Sequence, residues 1–242
     1  MQLNTIQRLN QLNQQFYQQI GDSFNATRQR AWPGWDRVWE EISPFWQQES
    51  FVVWDLGCGN GRFGKFLAEK SDKQWQYFGS DTDTYLLEQA QTSLSNFPNV
   101  QSQFEAQDLV YTFPTNWPQP NVIVLFGVLH HIPSQALREK ILLRAASQLA
   151  PGGYLAVTLW DPQKSEKLWQ GKIAPQLIHF SESELEEGDT FLRWENNLDW
   201  IRYCHVHTDI EVHNYIQKVP LTVKQEFEAD TSNHYLIWQK NS

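Results

Sequence analysis

Apolar residues recur every three or four positions at the beginning of the chain, a spacing that predicts an amphipathic helix over residues 3–20. The residues on this apolar face are Leu3, Ile6, Leu9, Leu12, Phe16 and Ile20. Gly21 and Asp22 are expected to end the helix. Trp32 and Pro33 then lead into a second short helix, because proline is favoured in a first helical turn.

From residue 51 onward, short apolar runs alternate with helical patterns. The apolar runs are FVVWDL, WQYFGS, NVQSQFEA, NVIVLF and GYLAVTLW, and the helical patterns between them cover residues 61–70, 83–96 and 134–149. Strands separated by helices of about ten residues or more are typical of βαβ units. The alternation therefore predicts an α/β fold in which helices cover both faces of a parallel sheet.

The C-terminal third begins irregularly and ends in ordered elements. After Pro162 the chain is polar and irregular up to about Leu198. The residues TDIE at 208–211 form the pattern of a capping box, which predicts a helix through about Lys218. TVKQEFEAD and HYLIWQK, joined by a short polar turn, are expected to pair as an antiparallel hairpin.

Composition indicates a globular protein: the chain has 242 residues, of which 40% are hydrophobic and 19% charged. No apolar run approaches the roughly 20 residues that span a bilayer. The N-terminus has no apolar signal core, and two cysteines cannot make a disulfide framework, so we expect a cytoplasmic protein. The net charge of −9 disfavours attraction of nucleic acid by the whole surface, so such a substrate would need a local basic patch.

A glycine loop, VVWDLGCGNGRFG at residues 52–64, lies between the first strand and the first helix of the alternating region. Gly59, Gly61 and Gly64 match the G-x-G-x-x-G pattern of dinucleotide folds. Asp55 closes the strand and is expected to face the crevice in which such sheets bind ligands. A pyrophosphate there would meet this carboxylate, so the loop favours a ligand that carries an ammonium and a sulfonium.

Two further carboxylates follow the next two strands. Asp81 is placed to accept hydrogen bonds from ribose hydroxyls, and Asp108 to accept one from an adenine amino group, with Leu109 against the ring. Three carboxylates at successive strand ends suit a cationic nucleoside such as S-adenosylmethionine. The alternative is that they are ordinary helix caps and turn residues.

These residues resemble class I S-adenosylmethionine-dependent methyltransferases, since DLGCGNG, the GSD turn, QDL, LFGVLHHI and LAPGGYLAV occur in that order within residues 50–162. The resemblance implies a Rossmann-like three-layer sandwich with a seven-stranded, mostly parallel sheet and an antiparallel last strand. It implies one methyltransferase domain over 1–242, with an N-terminal helical cap (1–47), a cofactor-binding core (48–162) and a part (163–242) that holds a substrate-side insertion, the last helix and the closing hairpin. The cofactor-binding residues it implies are Asp55, Gly57, Cys58, Gly59, Gly61, Asp81, Thr82, Asp108, Leu109 and Phe126. Asn121 opens the fourth strand where many relatives have Asp.

Three segments outside the core resemble the eukaryotic tRNA methyltransferases that esterify the 5-carboxymethyl group of wobble uridine. They are SFNATRQRAWP, LFGVLHHI, and GDTFLRW followed by WIRYCHVHTDIEV. Cys204 replaces the second tyrosine of that last pattern, and a long basic insert of some relatives is missing. The resemblance implies tRNA as a partner, S-adenosylhomocysteine as a product, and a small zinc-binding activator protein at the edge of the sheet.

Esterification of a carboxylate needs no general base, because a carboxylate of ordinary pKa near 4 is ionised at pH 7. The site needs only to align and clamp the acceptor, and arginine, with its planar fork, suits that role. The catalytic residues that we expect are Arg28, His130, Arg202 and Tyr203, and the substrate-binding residues are Trp32, His131 and His205. Tyr203 and Trp32 could stack on a splayed base.

Each of these residues has a structural alternative. Trp32 could belong to the core, and Arg28 could cap a helix. One of the two histidines at 130 and 131 is expected to line the pocket while the other binds backbone, and at least one of His205 and His207 to be solvated. No metal is expected, because no cysteine or carboxylate keeps ligand spacing with His130 and His131. Cys58 is interpreted as a packing residue, and Arg30 and Arg37 as surface residues.

The core predicts the methyl donor and leaves the acceptor open. Besides a tRNA nucleoside, the acceptor could be a small metabolite, which the acidic charge favours. A non-catalytic protein that senses the cofactor or serves as a scaffold is a third hypothesis, against which the intact carboxylates and glycines count.

Overall fold

A computed structural model describes residues 1–47, 51–194 and 197–241; the predicted start of the core, residue 48, lies outside these ranges. The helices of the described chain are α1 (Leu3–Thr27), α2 (Gly34–Ile42), α3 (Arg62–Lys70), α4 (Thr84–Leu94), α5 (Gln135–Gln148), α6 (Glu166–Trp169) and α7 (Asp209–Lys218). The strands are β1 (Val52–Leu56), β2 (Trp75–Asp81), β3 (Val100–Ala106), β4 (Val122–Leu125), β5 (Tyr154–Trp160), β6 (Lys172–Ile173), β7 (Asp189–Trp194), β8 (Asn197–His205), β9 (Thr222–Ala229) and β10 (Asn233–Gln239). None of the helices in these ranges has both the length and the apolar character needed to cross a membrane.

The main sheet has seven strands in the order β3-β2-β1-β4-β5-β10-β9. β1 to β5 are parallel, and β10 runs antiparallel between β5 and β9. The predicted fold, a mostly parallel sheet with an antiparallel last strand, is therefore confirmed, as is the closing hairpin. The chain order reverses between β1 and β4, and in open α/β sheets this reversal creates a crevice at the carboxyl ends of the strands.

Helices cover both faces of this sheet and bury its apolar side chains. On one face, residues of α5 and α7 pack against alternate strand residues such as Trp54, Leu125 and Trp238. On the other face, α2, α3 and α4 cover the intervening residues, among them Val53 and Val124. β1 and β4 are buried at every position, which explains why they are continuous apolar runs without alternation.

A second, antiparallel sheet in the order β6-β7-β8 lies within residues 172–205, so the prediction of an irregular chain up to about Leu198 is wrong. β6 has two residues and pairs with β7 across the turns at 174–188, so it is too short to show an alternating sequence pattern. Apolar residues of this sheet and its turns, Ile173, Phe180, Phe191 and Tyr203, pack against Leu9 of α1.

The first helix is longer than predicted, because α1 continues through Gly21 and Asp22 to Thr27. A glycine inside a helix costs about 1 kcal/mol relative to alanine. Here the ring of Tyr85 lies so close that a Cβ on Gly21 would be 3.3 Å from its Cδ1 atom, so the glycine provides room for the neighbouring helix α4. The predicted capping box of α7 is present, since the hydroxyl of Thr208 accepts a hydrogen bond from the backbone N–H of Glu211.

Candidate active site

A cavity of about 840 Å³ opens at the carboxyl ends of β1 to β5, beneath α1. It brings together most of the residues predicted for the site, from segments far apart in sequence. The predicted residues that line it are Arg28, Trp32, Asp55, Gly57, Cys58, Gly59, Asp81, Thr82, Asp108, Leu109, Phe126, His130, His131 and Arg202. The cavity is therefore the candidate active site.

The glycine loop between β1 and α3 is fastened to the end of β2. The backbone N–H groups of Gly57 and Cys58 donate to the carbonyl of Ser80 at 2.7 and 2.8 Å. Gly57 has a φ of +79°, and a Cβ there would lie 2.4 Å from a methyl of Val128, so only glycine fits. Gly61 is buried outside the cavity lining and begins α3, with a Cβ position 2.8 Å from Ala90.

Asp55 lies at the floor of the cavity and is almost fully buried. The hydroxyl of Tyr77 donates to Asp55 Oδ2 at 2.6 Å. Burial raises the pKa of this carboxyl to about 7 because the charged form loses its hydration, although the bond from Tyr77 acts in the opposite direction. The carboxyl is thus partly ionised near neutral pH, and a cation placed beside it would favour its charged form.

Asp81 and Asp108 are half-buried at the ends of β2 and β3. Asp81 accepts hydrogen bonds from the N–H groups of Gly59 at 2.8 Å and Asp83 at 3.1 Å, which join it to the glycine loop. Asp108 Oδ2 accepts from the side-chain amides of Asn10 at 2.6 Å and Gln14 at 2.8 Å. α1 is therefore fixed directly over the third carboxylate.

Cys58 is buried, and its sulfur lies 2.9 Å from the position of a Cβ on Gly79, so the thiol fills the space that this glycine leaves. Burial raises the pKa of the Cys58 thiol well above its usual value, which keeps it protonated. The sulfur therefore packs between the glycine loop and β2.

Arg202 of β8 faces the opposite end of the cavity with only 6% of its surface exposed. Its guanidinium carbon lies 4.7 Å from the ring centre of Trp160 and 5.5 Å from those of Phe16 and Trp194. Among the carboxylate side chains that the structure describes, none lies within 4.0 Å of it. A buried cation without a counter-ion is costly, so this arrangement is suited to an anionic ligand.

Arg28, at the end of α1, faces the same region. Its guanidinium lies 5.9 Å from the ring of Trp194. Burial, and then the positive charge of Arg202, lower the pKa of Arg28 from its usual value. The two arginines are thus close enough for their charges to interact, and an anion between them would relieve the repulsion.

The two histidines after β4 both line the cavity. We expected one of them to line it and the other to hydrogen-bond the backbone; instead both line it, and His131 also bonds the backbone. His131 Nδ1 lies 3.1 Å from the carbonyl of Tyr203, which can only accept, so Nδ1 carries the proton. Nε2 then accepts from the hydroxyl of Tyr17 at 2.7 Å. Burial, reinforced by Arg202, lowers the pKa of His131 to about 3, so the ring is neutral at pH 7.

His130 packs between His131, at 4.1 Å between ring centres, and Trp160, at 5.0 Å, with the ring planes tilted by 51° and 47°. Its Nδ1 atom is buried without a hydrogen-bond partner among the described residues. Burial, with the charges of neighbouring rings, holds the pKa of His130 well below its ordinary value. The ring offers neutral hydrogen-bonding atoms beside the two arginines.

Trp32 is half-buried, and its ring centre lies 5.3 Å from that of Trp35. Both indoles line the cavity, but Trp35 is only 2% exposed and belongs to the core. Arg30 is exposed at the cavity mouth. Arg37 is exposed outside the lining, and its guanidinium lies 3.7 Å from the ring of Phe227.

Tyr203 and His205 lie outside the cavity, so the predicted contacts of both with substrate do not fit their positions. Successive residues of a strand point to opposite faces, and Arg202 takes the cavity side of β8. Tyr203 is fully buried and donates to Asp189 at 2.7 Å. His205 is fully buried between Asp189 and Glu211, each at 2.8 Å, so it is not solvated, whereas His207 is half-buried and keeps part of its surface exposed.

The His205 cluster has the geometry of a possible metal site, because ligand atoms of His205, His207 and Glu211 lie within 4.8 Å of one another. Arg138 already places a cation there: its Nη2 atom lies 3.0 Å from His205 Nε2 and 2.8 Å from Glu211. The guanidinium of Arg138 therefore neutralises negative charge of the cluster. The cluster also connects α5, α7 and β8.

Sequence reasoning did not identify several residues of the cavity. Asn10, Asn13, Gln14 and Tyr17 of α1 all line it. Their spacing of three, one and three residues places them on one helical face, and such a polar stripe beside the apolar one is a signal that could have revealed them. Arg62, Trp160 and Trp194 also line it, and no local pattern distinguishes these three.

Comparison with known proteins agrees with this architecture. Residues 54–155 match the family described as "Methyltransferase domain". Probable tRNA methyltransferase 9B of Mus musculus is 24% identical over 154 residues, 64% of this chain and 30% of that protein. The tRNA (carboxymethyluridine(34)-5-O)-methyltransferase of Arabidopsis thaliana is 22% identical over 176 residues, 71% of this chain and 38% of that protein. Trans-aconitate 2-methyltransferase of Methylobacterium nodulans is 35% identical over 109 residues, 45% of this chain and 38% of that protein. The chain thus matches between 30% and 38% of the length of these relatives.

Solved structures share the fold over most of the chain. An S-adenosylmethionine-dependent methyltransferase from Clostridium acetobutylicum superposes with a TM-score of 0.65 at 14% identity, and covers 94% of this chain and 98% of its own. Magnesium protoporphyrin IX methyltransferase from Synechocystis PCC 6803, solved with bound S-adenosylmethionine, gives a TM-score of 0.55 at 15% identity, and covers 100% of this chain and 86% of its own.

Residues 54–155 match a methyltransferase domain, and the strand order and the glycine loop with its three strand-end carboxylates agree with the class I, S-adenosylmethionine-dependent fold. The donor set fits this cofactor, because Asp55, Asp81 and Asp108 offer acceptors for an ammonium, ribose hydroxyls and an adenine amino group. A pyrophosphate would instead have to approach these carboxylates.

Proposed function

We propose that this protein is a methyltransferase that esterifies a carboxylate on its acceptor. The observation that supports this most is Arg202, a buried guanidinium in the cavity, which packs against three aromatic rings and has no carboxylate within 4.0 Å among the described side chains. Arg28 adds a second positive charge nearby. An acceptor carboxylate would neutralise both charges and receive hydrogen bonds from a planar fork.

The residues at the two ends of the cavity have different roles. S-adenosylmethionine, when bound, supplies an electrophilic methyl group on a sulfonium. Asp55, Asp81 and Asp108 hold the cofactor at one end, and Arg28 and Arg202 orient the acceptor at the other. The carboxylate is ionised at neutral pH, so His130 and His131 need not remove a proton and serve as neutral walls.

The acceptor that we propose is the 5-carboxymethyl group of a wobble uridine in tRNA. The Arabidopsis relative is named for carboxymethyluridine, which carries a carboxylate, and the mouse relative is also named as a tRNA enzyme. Trp32, Trp160 and Trp194 line the cavity near the arginines, where a splayed base could stack on an indole.

A small polycarboxylic acid is the second candidate acceptor. The Methylobacterium relative is named for trans-aconitate, a tricarboxylic acid, and has 35% identity over its matched segment. The net charge of −9 also favours an acceptor smaller than a polyanion. Both candidates present a carboxylate, so Arg202 has the same role in each.

A strand-pairing activator protein is part of the tRNA proposal. β3 is the outermost strand on its side of the sheet, and within the described ranges it pairs with β2 alone. Its outer edge can therefore accept a strand from a partner. Co-expression with a candidate zinc-binding activator, followed by purification through one tagged chain, tests this; the absence of co-purification and of any gain in activity would count against the partner.

Labelled cofactor tests the reaction. The protein is incubated with methyl-labelled S-adenosylmethionine and, separately, with tRNA and with di- and tricarboxylic acids. Label on either acceptor should be released as methanol by mild alkali, because esters hydrolyse while methyl groups on nitrogen or carbon do not. Alkali-stable label would contradict esterification, and cofactor binding without labelling of any acceptor would favour the non-catalytic hypothesis.

Arginine variants test the clamp. Arg202→Ala and Arg28→Ala should each lower kcat/KM by about 100-fold or more, because a preorganised cationic donor is lost. The affinity for S-adenosylhomocysteine should remain unchanged, which also shows that the cofactor half of the site is folded. Arg37→Ala removes an exposed arginine outside the cavity and should leave turnover unaltered. Unchanged turnover in Arg202→Ala would rule out the clamp.

A further inference from the structure

The outer edge of β8 is held by side chains at the residue that follows Arg202. Within the described ranges β8 pairs with β7 alone, so the backbone groups on its other edge need different partners. The backbone N–H of Tyr203 donates to Asn13 Oδ1 at 2.8 Å, and the carbonyl of Tyr203 lies 3.1 Å from His131 Nδ1. Both backbone groups of Tyr203 are therefore held, one by α1 and the other by the turn after β4.

His131 uses both of its ring nitrogens within the protein. Nδ1 donates to the carbonyl of Tyr203, and Nε2 accepts from the hydroxyl of Tyr17 at 2.7 Å. The amide nitrogen of Asn13 lies 3.4 Å from Nδ1 and 3.3 Å from the carbonyl of His131, and it donates to the carbonyl because Nδ1 already carries a hydrogen. No ring nitrogen of His131 then remains to bind a ligand.

The hydroxyl of Tyr17 also interacts with Arg202, and both residues line the cavity. Burial raises the pKa of Tyr17 to about 12, and Arg202 acts in the opposite direction through its charge and through a hydrogen bond that it donates to the phenol oxygen. A hydroxyl donates one hydrogen bond and can accept others, so Tyr17 can bond His131 and Arg202 at once. Aromatic faces attract a guanidinium but do not orient its N–H groups, whereas a hydrogen bond does.

Arg202 is thus held at its backbone through His131 and at its guanidinium through Tyr17. We propose that Tyr17 and His131 are positioning residues that direct Arg202 toward the acceptor and do not themselves bind it. This assignment rests on the proposed function for the role of Arg202. It leaves His130, whose Nδ1 has no partner among the described residues, as the histidine available to the acceptor.

Nuclear magnetic resonance of protein with isotope-labelled histidine and arginine nitrogens tests the positioning without turnover. His131, assigned by the loss of its signals in His131→Asn, should be neutral with its hydrogen on Nδ1. Tyr17→Phe should shift the Nε–H signal of Arg202 and leave that of Arg138 in place. Tyr215→Phe is the matched control, because its hydroxyl accepts from Arg138 Nε at 3.1 Å outside the cavity lining. It should shift the signal of Arg138 alone.

Kinetics with the acceptor carboxylate distinguish positioning from direct contact. Tyr17→Phe should lower kcat by about tenfold or more, because the acceptor is misaligned, and leave its KM within about twofold. The affinity for S-adenosylhomocysteine should not change, nor should the kcat of the Tyr215→Phe control. In the Arg202→Ala background, Tyr17→Phe should change kcat/KM by less than about twofold, because it acts only through the arginine. His131→Asn, whose amide can replace Nδ1 as a donor, should keep more activity than His131→Ala.

The outcomes separate this assignment from the proposed function. A hydrogen on Nε2 of His131, or an Arg202 signal that Tyr17→Phe does not shift, would overturn the positioning. Effects of Tyr17→Phe and Arg202→Ala that multiply would also overturn it, because the hydroxyl would then contact the acceptor itself. An equal loss of kcat in Tyr215→Phe would do the same by attributing the loss to general destabilisation. The expected spectra in a protein that esterifies no acceptor would support the positioning and refute the acceptor chemistry.

Discussion

Asp55 is the residue whose charge state connects cofactor binding to pH. Its carboxyl is buried, accepts a hydrogen bond from Tyr77, and has a pKa that burial raises from 3.8 to about 7. A raised pKa means that the folded protein holds this proton more tightly than the unfolded chain does. The contribution of Asp55 to stability is therefore fully present below pH 3.8 and is lost as the pH rises through about 7.

Cofactor binding should show the opposite dependence on pH, because the ammonium of the ligand is attracted by the ionised carboxylate. With a pKa of about 7, the ionised fraction rises roughly tenfold between pH 6 and pH 8. The Kd for S-adenosylhomocysteine should therefore be about tenfold weaker at pH 6 than at pH 8 when measured by calorimetry in buffers of matched ionic strength.

Asp55→Asn separates the two effects, because an amide keeps an acceptor for Tyr77 and cannot ionise. In this variant the Kd should be weaker at pH 8 and nearly independent of pH. Without ligand, its Tm relative to wild type should rise between pH 5 and pH 8, since only the wild type then has to ionise a buried group. A wild-type Kd that is flat across this range would show that Asp55 does not interact with the ligand.

At the level of elements, α1 joins the two ends of the cavity. Asn10 and Gln14 hold Asp108 at the cofactor end. Asn13 accepts from the backbone N–H of Tyr203 in β8 at 2.8 Å, and Tyr17 bonds His131 at the acceptor end. One polar face of one helix therefore positions both the carboxylate of Asp108 and the ring of His131 in the cavity wall.

Loss of the amides over Asp108 should loosen cofactor binding. The double variant Asn10→Ala, Gln14→Ala removes both of these donors to Asp108 Oδ2 and leaves only Oδ1 held, by the backbone N–H of Val110 at 2.9 Å. We therefore expect binding of S-adenosylhomocysteine to weaken by about tenfold, as for one hydrogen bond to a charged group. Hydrogen exchange should show that the ligand protects α1 in the wild type and protects it less in the variant. α5, which covers the opposite face of the sheet, is the internal control, and equal affinity in both proteins would refute the role of α1.

Two glycines give a paired test of packing between elements. A Cβ on Gly34 of α2 would lie 2.6 Å from the ring of Tyr235 in β10, whereas a Cβ on Gly21 of α1 would lie 3.3 Å from Tyr85. Gly34→Ala should therefore lower the free energy of unfolding by about 1–3 kcal/mol through overpacking. Gly21→Ala should change the free energy of unfolding by less than about 1 kcal/mol, because the helix preference of alanine offsets the tighter contact with Tyr85. Denaturant titration measures both, and equal destabilisation would contradict the close α2–β10 contact.

An element is predictable from the sequence where its local residue pattern directly reflects how the element is buried in the fold. β1 and β4 are continuous apolar runs because both of their faces are buried, and Asp55, Asp81 and Asp108 were predictable because parallel strands bring their ends to one edge. The contact between Asn13 and Tyr203 joins residues 190 positions apart, so no local sequence pattern could predict it.

The roles of residues on β8 could not be predicted, because the local sequence does not show which face of the strand each residue occupies. Arg202 and Tyr203 are adjacent, and the parity that turns the arginine to the cavity and the tyrosine to Asp189 is fixed by pairing with β7 and packing on α1. The motif resemblance predicted that both residues belong to the site. Only the register of β8 shows that Arg202 faces the cavity and Tyr203 faces away from it. Arg62 was missed for a related reason, since its contacts with Trp32 and Trp35 connect α3 to the segment before β1.

At the scale of the whole molecule, charge is segregated inside one cavity of an acidic protein. Four arginines and four aspartates line the cavity: Arg28, Arg30, Arg62, Arg202, Asp55, Asp81, Asp108 and Asp230. The strand-end aspartates lie at the cofactor end, and Arg28 and Arg202 at the acceptor end. The net charge of −9 repels anions at long range, so the anionic acceptor that we propose would have to be captured by short-range contacts with the arginines.

The size of the acceptor determines how salt affects its binding. A tRNA must make phosphate contacts to overcome the net charge, and three such contacts would weaken binding by about 20- to 40-fold between 50 and 200 mM salt. A small polycarboxylate interacts mainly with Arg28 and Arg202, whose buried charges are screened less, so its affinity should change by roughly two- to threefold. Fluorescence anisotropy with a labelled anticodon stem-loop, and calorimetry with trans-aconitate, measure the two slopes. Arg202→Ala should lower either affinity without altering the slope for RNA, because it removes a contact with a carboxylate and leaves the phosphate contacts in place. A flat slope with the stem-loop would contradict the tRNA acceptor and leave esterification of a small acid as the function that the two arginines serve.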